Sequence, residues 1–87
     1  MKPPVYPAII RPDKEYGYWV DFPDLPGCVT QRRTLEKAFL MAGDALSCWL
    51  SYAKGLPKST PLVDIKAEEG AFVVLVQPVP YESEDAE

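Results

Sequence analysis

The sequence predicts an α+β fold: a small β-β-β-α-β domain in which one long helix covers an antiparallel-type sheet. Three observations predict it. Strand-like segments alternate with turns before residue 32, apolar residues then recur at 3-and-4 spacing over 35–53, and a β-branched run follows at 71–77. The 87 residues favour a single domain, which we place at 1–80, followed by an acidic, disordered tail at 81–87.

The first two strands are predicted at 5–11 and 16–22, with a polar turn at 12–15 between them. The short separation favours a hairpin. Residues at every second position of a strand share a face. The second strand therefore presents one largely aromatic face, made of Tyr16, Tyr18, Val20 and Phe22.

The stretch DFPDLPGC, residues 21–28, places two carboxylates, two prolines, a glycine and a thiol close together. Pro23 and Asp24 suit one turn, because proline fixes φ and aspartate bonds nearby backbone amides. Residues 25–28 fit a type II turn, with Pro at the second position and Gly at the third. Two consecutive turns would reverse the chain into a third strand at 28–31.

The helix is predicted over 35–53, with Thr34 as its N-cap. We expect it to end at Gly55 in the left-handed conformation, with Pro57 blocking continuation. The apolar stripe facing the core is Leu35, Ala38, Phe39, Ala42, Ala45, Leu46, Trp49, Leu50 and Ala53. Leu40, Met41 and Cys48 lie outside this stripe, and the Leu-Met pair hints at a second contact.

The final run at 71–77 is continuous rather than alternating, which is typical of a strand covered on both faces. The small size of the chain, the Leu40-Met41 pair and this apolar strand together predict a homo-oligomer, a dimer or a tetramer.

The net charge is −4, and residues 64–87 carry seven acidic side chains against one basic. Phosphate contact needs clustered Lys and Arg, so direct nucleic-acid binding is not expected. An acidic surface attracts a basic protein, or it serves only solubility. No apolar run approaches the length of a membrane span, and the N-terminus lacks a secretory pattern. We therefore expect a soluble, cytoplasmic protein without membrane association.

The chain contains no histidine, which removes the commonest acid–base group. Cys28 and Cys48 cannot form a four-ligand zinc set, and we expect both to be reduced and packed, with a disulfide as the alternative. One enzymatic option remains, a divalent metal held by Asp13, Asp21 and Asp24. We expect no enzyme, no catalytic residue and no cofactor or metal.

The segments YPAII, YGYWVDFPDLPGCVTQ and TLEKA resemble the N-terminal domain of the HicB-like antitoxin family. The resemblance covers about residues 5–54, and the strand at 71–77 fits the family's last strand. It implies a degenerate ribonuclease H-like fold that generally lacks catalytic carboxylates. It also implies a partner, the small basic HicA toxin, a ribonuclease whose active surface these antitoxins cover.

Many members of that family carry a DNA-binding domain after the last strand. Here about ten acidic-rich residues follow Gln77, which is the pattern of a short form without that domain. We expect the double turn to present an exposed tip at 24–25. The predicted partner-binding residues are Phe22, Asp24, Leu25, Leu40 and Met41. The alternatives are a carboxylate-metal nuclease on a ribonuclease H-like fold and an orphan oligomeric scaffold without a toxin.

Overall fold

A computed structural model describes residues 4–78 and shows four strands and one long helix. The elements are β1 (Tyr6–Asp13), β2 (Gly17–Asp21), β3 (Val29–Arg32), α1 (Leu35–Tyr52) and β4 (Phe72–Val76). The strands form one antiparallel sheet in the order β3-β2-β1-β4. The predicted α+β class and β-β-β-α-β order are confirmed. The tail expected at 81–87 lies outside the described residues, and the domain limits stay a prediction.

The β1–β2 hairpin is tighter than its sequence suggests. β1 continues through Pro12 to Asp13, so the loop is 14–16 and not the predicted 12–15. Pro12 lies opposite Tyr18, beyond the last β1 residue that pairs with β4. A strand tolerates a missing amide donor at such a position. β2 then begins at Gly17, whose φ is +103°.

The core lies between α1 and one face of the sheet. Alternation in β2 directs Tyr18 and Val20 towards the helix, and Phe22 follows them directly after the strand, so these three share a face as predicted. Tyr16 does not belong to that face, because it lies in the loop, is 52% exposed and packs against Trp19. Ile10 of β1 and Leu46 of α1 are fully buried in the same cluster. Burying side chains of this size contributes roughly 1.5–3 kcal/mol each before conformational entropy is subtracted.

The start of α1 agrees with the prediction, and its end does not. The Thr34 hydroxyl accepts a hydrogen bond from the Lys37 amide at 3.2 Å, as an N-cap should. The helix ends at Tyr52, its C-cap Ala53 has an extended backbone, and Gly55 is not among the glycines with positive φ. The predicted left-handed Gly55 cap is therefore wrong. The Tyr6 hydroxyl donates to the Pro57 carbonyl at 2.6 Å, so a contact with β1 sets the path of the chain after the helix.

The buried line of α1 is narrower than the predicted stripe. It runs along Ala38, Ala42 and Leu46, while Phe39 is 42% exposed. α1 packs mainly over β2 and β3 and only lightly against β4. The expectation that Phe39 is a core residue is wrong.

β4 forms an edge of the sheet and pairs only with β1 within the described residues. Phe72 and Leu75 are exposed, so the predicted cover on both of its faces is wrong. The connection, residues 53–71, contains a single 3-10 turn (Leu62–Asp64) and returns the chain from α1 to β4. Within residues 4–78, α1 is not apolar enough to cross a bilayer.

Candidate functional site

The stretch 21–28 folds as the predicted double turn. The Leu25 amide donates to the Phe22 carbonyl at 3.0 Å, and the Cys28 amide donates to the Leu25 carbonyl at 3.0 Å. Gly27 has a φ of +82°, as the third position of a type II turn requires. The Phe22 amide also donates to the Cys28 carbonyl at 3.2 Å, which closes the reversal between β2 and β3.

The apolar residues of this double turn point inwards. Phe22 and Leu25 are both fully buried and belong to the core cluster beneath α1. The expected exposed tip at 24–25 is therefore wrong, because Leu25 completes the core where β2 ends. Neither side chain is accessible to a partner in this fold.

The polar groups of the double turn tie it to other parts of the chain. Asp24 accepts hydrogen bonds from the amide and the hydroxyl of Thr60, at 2.8 and 2.6 Å. The Pro26 carbonyl accepts one from the Trp49 indole at 3.0 Å. The double turn is thus a structural junction that joins the sheet, the helix and the connection.

The three carboxylates considered for a metal do not converge. Asp13 accepts hydrogen bonds from two amides of the 14–16 loop, while Asp21 pairs with Arg11 at 3.2 Å. These two residues lie at opposite ends of the hairpin, since Asp13 is opposite Gly17 at the start of β2 and Asp21 ends it. Among residues 4–78 no three potential metal ligands come together.

Arg11 is the cation of both ion pairs found in the described residues. Besides Asp21 it binds Glu68 of the connection at 2.7 Å. A hydrogen bond from its own backbone amide and then the contact with Arg11 lower the pKa of Glu68. Arg11 lies on the sheet face that points away from Ile10, so Glu68 brings the connection to that face.

The outward side of α1 carries a continuous line of exposed residues, which we call the outer stripe. Its members follow one another at four-residue intervals, so each is the neighbour of the next and the line winds across the exposed half of the helix. They are Glu36, Leu40, Asp44, Cys48 and Tyr52. Leu40 is 69% exposed and Tyr52 is 84% exposed. The stripe therefore alternates carboxylates with apolar groups and contains no basic residue.

Of the predicted partner-binding residues, only Leu40 belongs to the outer stripe. Met41 is half-buried beside it, and Asp24 is held by Thr60. The prediction did not include Glu36, Asp44 and Tyr52. The signal for them is present in the sequence as four-residue spacing on the side of the helix opposite Ala38 and Ala42. Neither Glu36 nor Asp44 has an ion-pair partner among residues 4–78.

An open groove of about 490 Å³ adjoins the C-terminal half of the outer stripe. It lies between α1 and the type II turn, and its walls include Cys28, Val29, Cys48, Trp49 and Tyr52. Both cysteines are free, Cys28 buried and Cys48 exposed, so the expectation that Cys48 is packed is wrong. The outer stripe and this groove together form the candidate binding surface.

Comparisons with known proteins agree with this architecture. A family model described as the HicB-like antitoxin of bacterial toxin-antitoxin systems matches residues 6–80. Antitoxin HicB 1 of Photorhabdus laumondii subsp. laumondii is 51% identical over 41 residues, which are 47% of this chain. That match covers 26% of the relative, about a quarter of its length.

A solved structure, titled a toxin-antitoxin complex from Streptococcus pneumoniae, contains a chain with a similar fold. The similarity covers 94% of the present chain and 73% of that chain, with a TM-score of 0.74 and 18% identity. At this identity the likeness concerns the fold.

Proposed function

Because this chain belongs to the HicB-like antitoxin family, we propose that it is an antitoxin that binds and neutralises a small basic ribonuclease toxin of the HicA type. In this proposal it acts as a protein-binding module in the cytoplasm and covers the active surface of the toxin. The family match over residues 6–80 supports the antitoxin role. The resemblance of the stretch 21–28 to the HicB motif supports the identity of the partner.

The outer stripe is the observation that supports the proposed position of the docking surface on α1. Protein interfaces are held mainly by a few apolar or aromatic anchors at the centre, and complementary charge around them speeds encounter and selects the partner. Leu40 and Tyr52 supply exposed anchors, and Glu36 and Asp44 supply negative charge between and beside them. This pattern suits a basic partner and repels nucleic-acid phosphate.

The proposal takes three of the residues first expected at the interface out of it. Phe22 and Leu25 support the fold from the core, whereas Leu40 stays in the interface. Phe39 joins it, because its ring is partly exposed beside Leu40. Asp24 acts indirectly by holding the connection in place.

Binding to a purified HicA-type toxin tests the proposal. We expect the wild-type chain to form a complex and to rescue growth when both proteins are co-expressed. Leu40→Ala should weaken binding by about tenfold, as loss of a central anchor does. The double variant Glu36→Lys, Asp44→Lys should mainly slow association and reduce its salt dependence. Titration calorimetry and stopped-flow association measure the two effects.

Two variants serve as matched controls. Leu56→Ala removes an equally exposed leucine from the connection, and Glu15→Lys reverses an exposed acid in the hairpin loop. Both should bind the toxin as the wild type does. If the stripe variants also bind normally, the docking surface lies elsewhere. A wild-type chain that neither binds the toxin nor rescues growth would rule out the antitoxin role and leave a scaffold without a toxin.

A further inference from the structure

The groove between α1 and the type II turn has walls that are held in place by two hydrogen bonds. The Trp49 indole donates to the Pro26 carbonyl at 3.0 Å, which ties a ring of the helix to the turn. The Cys28 thiol donates a weak hydrogen bond to the Ala45 carbonyl at 3.7 Å, which ties the residue before β3 to the same part of the helix. Both bonds join the two sides of the groove, so its shape is set before a partner arrives, and binding there costs little reorganisation.

The walls of the groove combine aromatic rings and sulfur atoms with small residues. Trp49 and Tyr52 supply the rings, and Cys28 and Cys48 supply the sulfur atoms. The other described residues that line the groove are uncharged, namely Gly27, Val29, Ala45 and Ala53. A charged group that entered would lose part of its hydration without gaining an ion-pair partner. Rings and sulfur atoms both make favourable contacts with an aromatic ring, so the groove fits an aromatic side chain best.

The groove is continuous with the outer stripe, because Cys48 and Tyr52 belong to both. Asp44 lies four residues before Cys48 and has no ion-pair partner among the described residues. The opposite end of the groove, at Ala53, is followed by Lys54. A partner that covers the outer stripe therefore also reaches the groove, and a basic residue of that partner is attracted to the Asp44 end.

Charge favours a basic protein over the two occupants that this chain itself could supply. A second copy carries a net charge of −4, and residues 81–87 are acidic, so the carboxylates of the outer stripe repel both. A basic toxin is attracted to the same carboxylates. The occupant of the groove is therefore expected to come from the toxin.

We propose that the groove receives one aromatic side chain of the basic toxin, and that a lysine or arginine next to that side chain in the toxin pairs with Asp44. This inference rests on the proposed antitoxin function and adds the feature that distinguishes one toxin from another. The outer stripe alone would accept many basic surfaces, whereas a preformed groove accepts only a ring that fits it. Side chains that fill such pockets contribute much of the binding energy of an interface.

Blocking the groove at the end that lies off the outer stripe tests the proposal. Ala53 lines the groove, is half-buried and follows the helix, so Ala53→Trp puts an indole there without changing a residue of the stripe. We expect this variant to bind purified HicA-type toxin about tenfold more weakly than the wild type in titration calorimetry. Ala53→Ser is the matched control, because it keeps the residue small, and it should bind as the wild type does. Circular dichroism and urea denaturation check the fold of both variants.

The Cys48 thiol gives a second measurement that needs no substitution in the groove. The thiol is exposed in the free chain and should react with Ellman's reagent. Bound toxin, with its own thiols alkylated beforehand, should slow this reaction by about tenfold or more, because its ring covers the sulfur. Leu56→Cys in a Cys48→Ser background places the thiol at an exposed position of the connection. This control should react at the same rate with and without toxin.

The toxin itself gives a third measurement. Its exposed aromatic residues are replaced by alanine one at a time, and one of these variants should bind the wild-type chain about tenfold more weakly. Against that toxin variant, Ala53→Trp should cause no further loss of affinity, because the ring that it obstructs is already absent. Non-additive losses of this kind are the signature of two groups in contact.

Four results would overturn the proposal. They are normal toxin binding by Ala53→Trp, a Cys48 thiol that stays reactive in the complex, additive losses for every aromatic variant of the toxin, and shielding of Cys48 without toxin. The last result would mean that this chain fills its own groove. In all four cases a wild-type chain that binds the toxin keeps its antitoxin role. A wild-type chain that does not bind the toxin overturns both proposals, so the two failures are distinguishable.

Discussion

Cys28 and Cys48 line the same groove but differ in their chemistry. Cys28 is buried, and its thiol donates a weak hydrogen bond to the Ala45 carbonyl at 3.7 Å. Burial, and then the negative charges of Cys48 and Asp21, raise its pKa from 9.0 to about 11. The thiolate is the nucleophilic form, so Cys28 is inert near neutral pH. Cys48 is exposed on the outer stripe and open to reagents.

This difference predicts selective thiol reactivity. At pH 8 the native chain should release about one equivalent of thionitrobenzoate from Ellman's reagent, from Cys48, and about two after unfolding in guanidinium. Cys48→Ala should abolish the native reaction, and Cys28→Ala should leave it intact. Equal native reaction rates for the two thiols would show that Cys28 is not shielded.

The same shift in pKa gives a dependence of stability on pH. Below pH 9 the Cys28 thiol is protonated in both folded and unfolded chains and contributes no pH dependence. Between pH 9 and about 11 the unfolded thiol ionises while the folded thiol stays protonated. The unfolded state then binds fewer protons, so the free energy of unfolding falls as pH rises. Urea titrations should show a smaller fall in Cys28→Ala than in Cys48→Ala.

At the scale of residues, the sequence was sufficient to predict the turns at 21–28 and the N-cap of α1, and insufficient to predict the partners of polar side chains. The turns at 21–28 follow from where proline and glycine stand, and the N-cap follows from Thr34. The contacts of Asp24 and Trp49 could not be predicted, because Thr60 and Pro26 lie far from them in the chain. Asp24 was predicted at a docking site for this reason, whereas it holds the connection through its hydrogen bonds to Thr60.

At the scale of secondary-structure elements, the β1–β2 hairpin requires glycine at position 17. Gly17 has a φ of +103°, and a Cβ placed there would collide with the Arg32 carbonyl oxygen and lie 2.6 Å from the Arg33 Cα. Both obstacles are backbone atoms, which cannot move aside as a flexible side chain does. β2 and the residues after β3 therefore pack at a distance that only glycine permits.

Gly17→Ala should lower the free energy of unfolding by about 1–3 kcal/mol or more, through backbone strain and this collision. Gly55→Ala is the matched control, since Gly55 has no neighbour near its Cβ position and no positive φ. That substitution should be neutral or stabilising, by up to about 1 kcal/mol. Equilibrium urea denaturation measures both. Equal effects would mean that the close approach at Gly17 is absent in solution.

The ends of the elements show where local sequence signals stop being decisive. The start of α1 was predicted correctly, because a cap acts over three residues. Its end was not, because the chain after Ala53 is directed by the bond between Tyr6 and the Pro57 carbonyl. β4 was recognised as a strand from its β-branched run. Its place at an edge depends on which strand it pairs with, and the residues of β4 alone do not determine that.

In the molecule as a whole, side chains of the sheet and of the double turn bind the connection, residues 53–71, at three points. The Tyr6 hydroxyl binds Pro57, Asp24 binds Thr60, and Arg11 binds Glu68. The connection contributes no strand, so these bonds hold its path around the domain. Burial and the nearby carboxylate of Asp24 raise the pKa of Tyr6, which keeps its hydroxyl available as a donor.

Asp24→Ala should therefore loosen the connection and lower the stability of the whole domain. The loss of two hydrogen bonds to a carboxylate should cost about 1–3 kcal/mol in urea denaturation. Amide exchange should accelerate most around Thr60, where the donor loses its acceptor. Asp44→Ala, an exposed aspartate without an ion-pair partner in the described part of the chain, should change stability by no more than about 0.5 kcal/mol. Similar losses for both variants would contradict the role of Asp24.

The sheet order has a consequence for the way the protein is made. β1 is flanked by β2, which follows it at once, and by β4, whose Val76 pairs with Tyr6 from the far end of the sequence. During translation the first three strands and the helix leave the ribosome before β4 does. The edge of β1 that pairs with β4 therefore stays open in the nascent domain until β4 is synthesised. During that interval, protection of this edge from aggregation depends on chaperones or on the rapid arrival of β4.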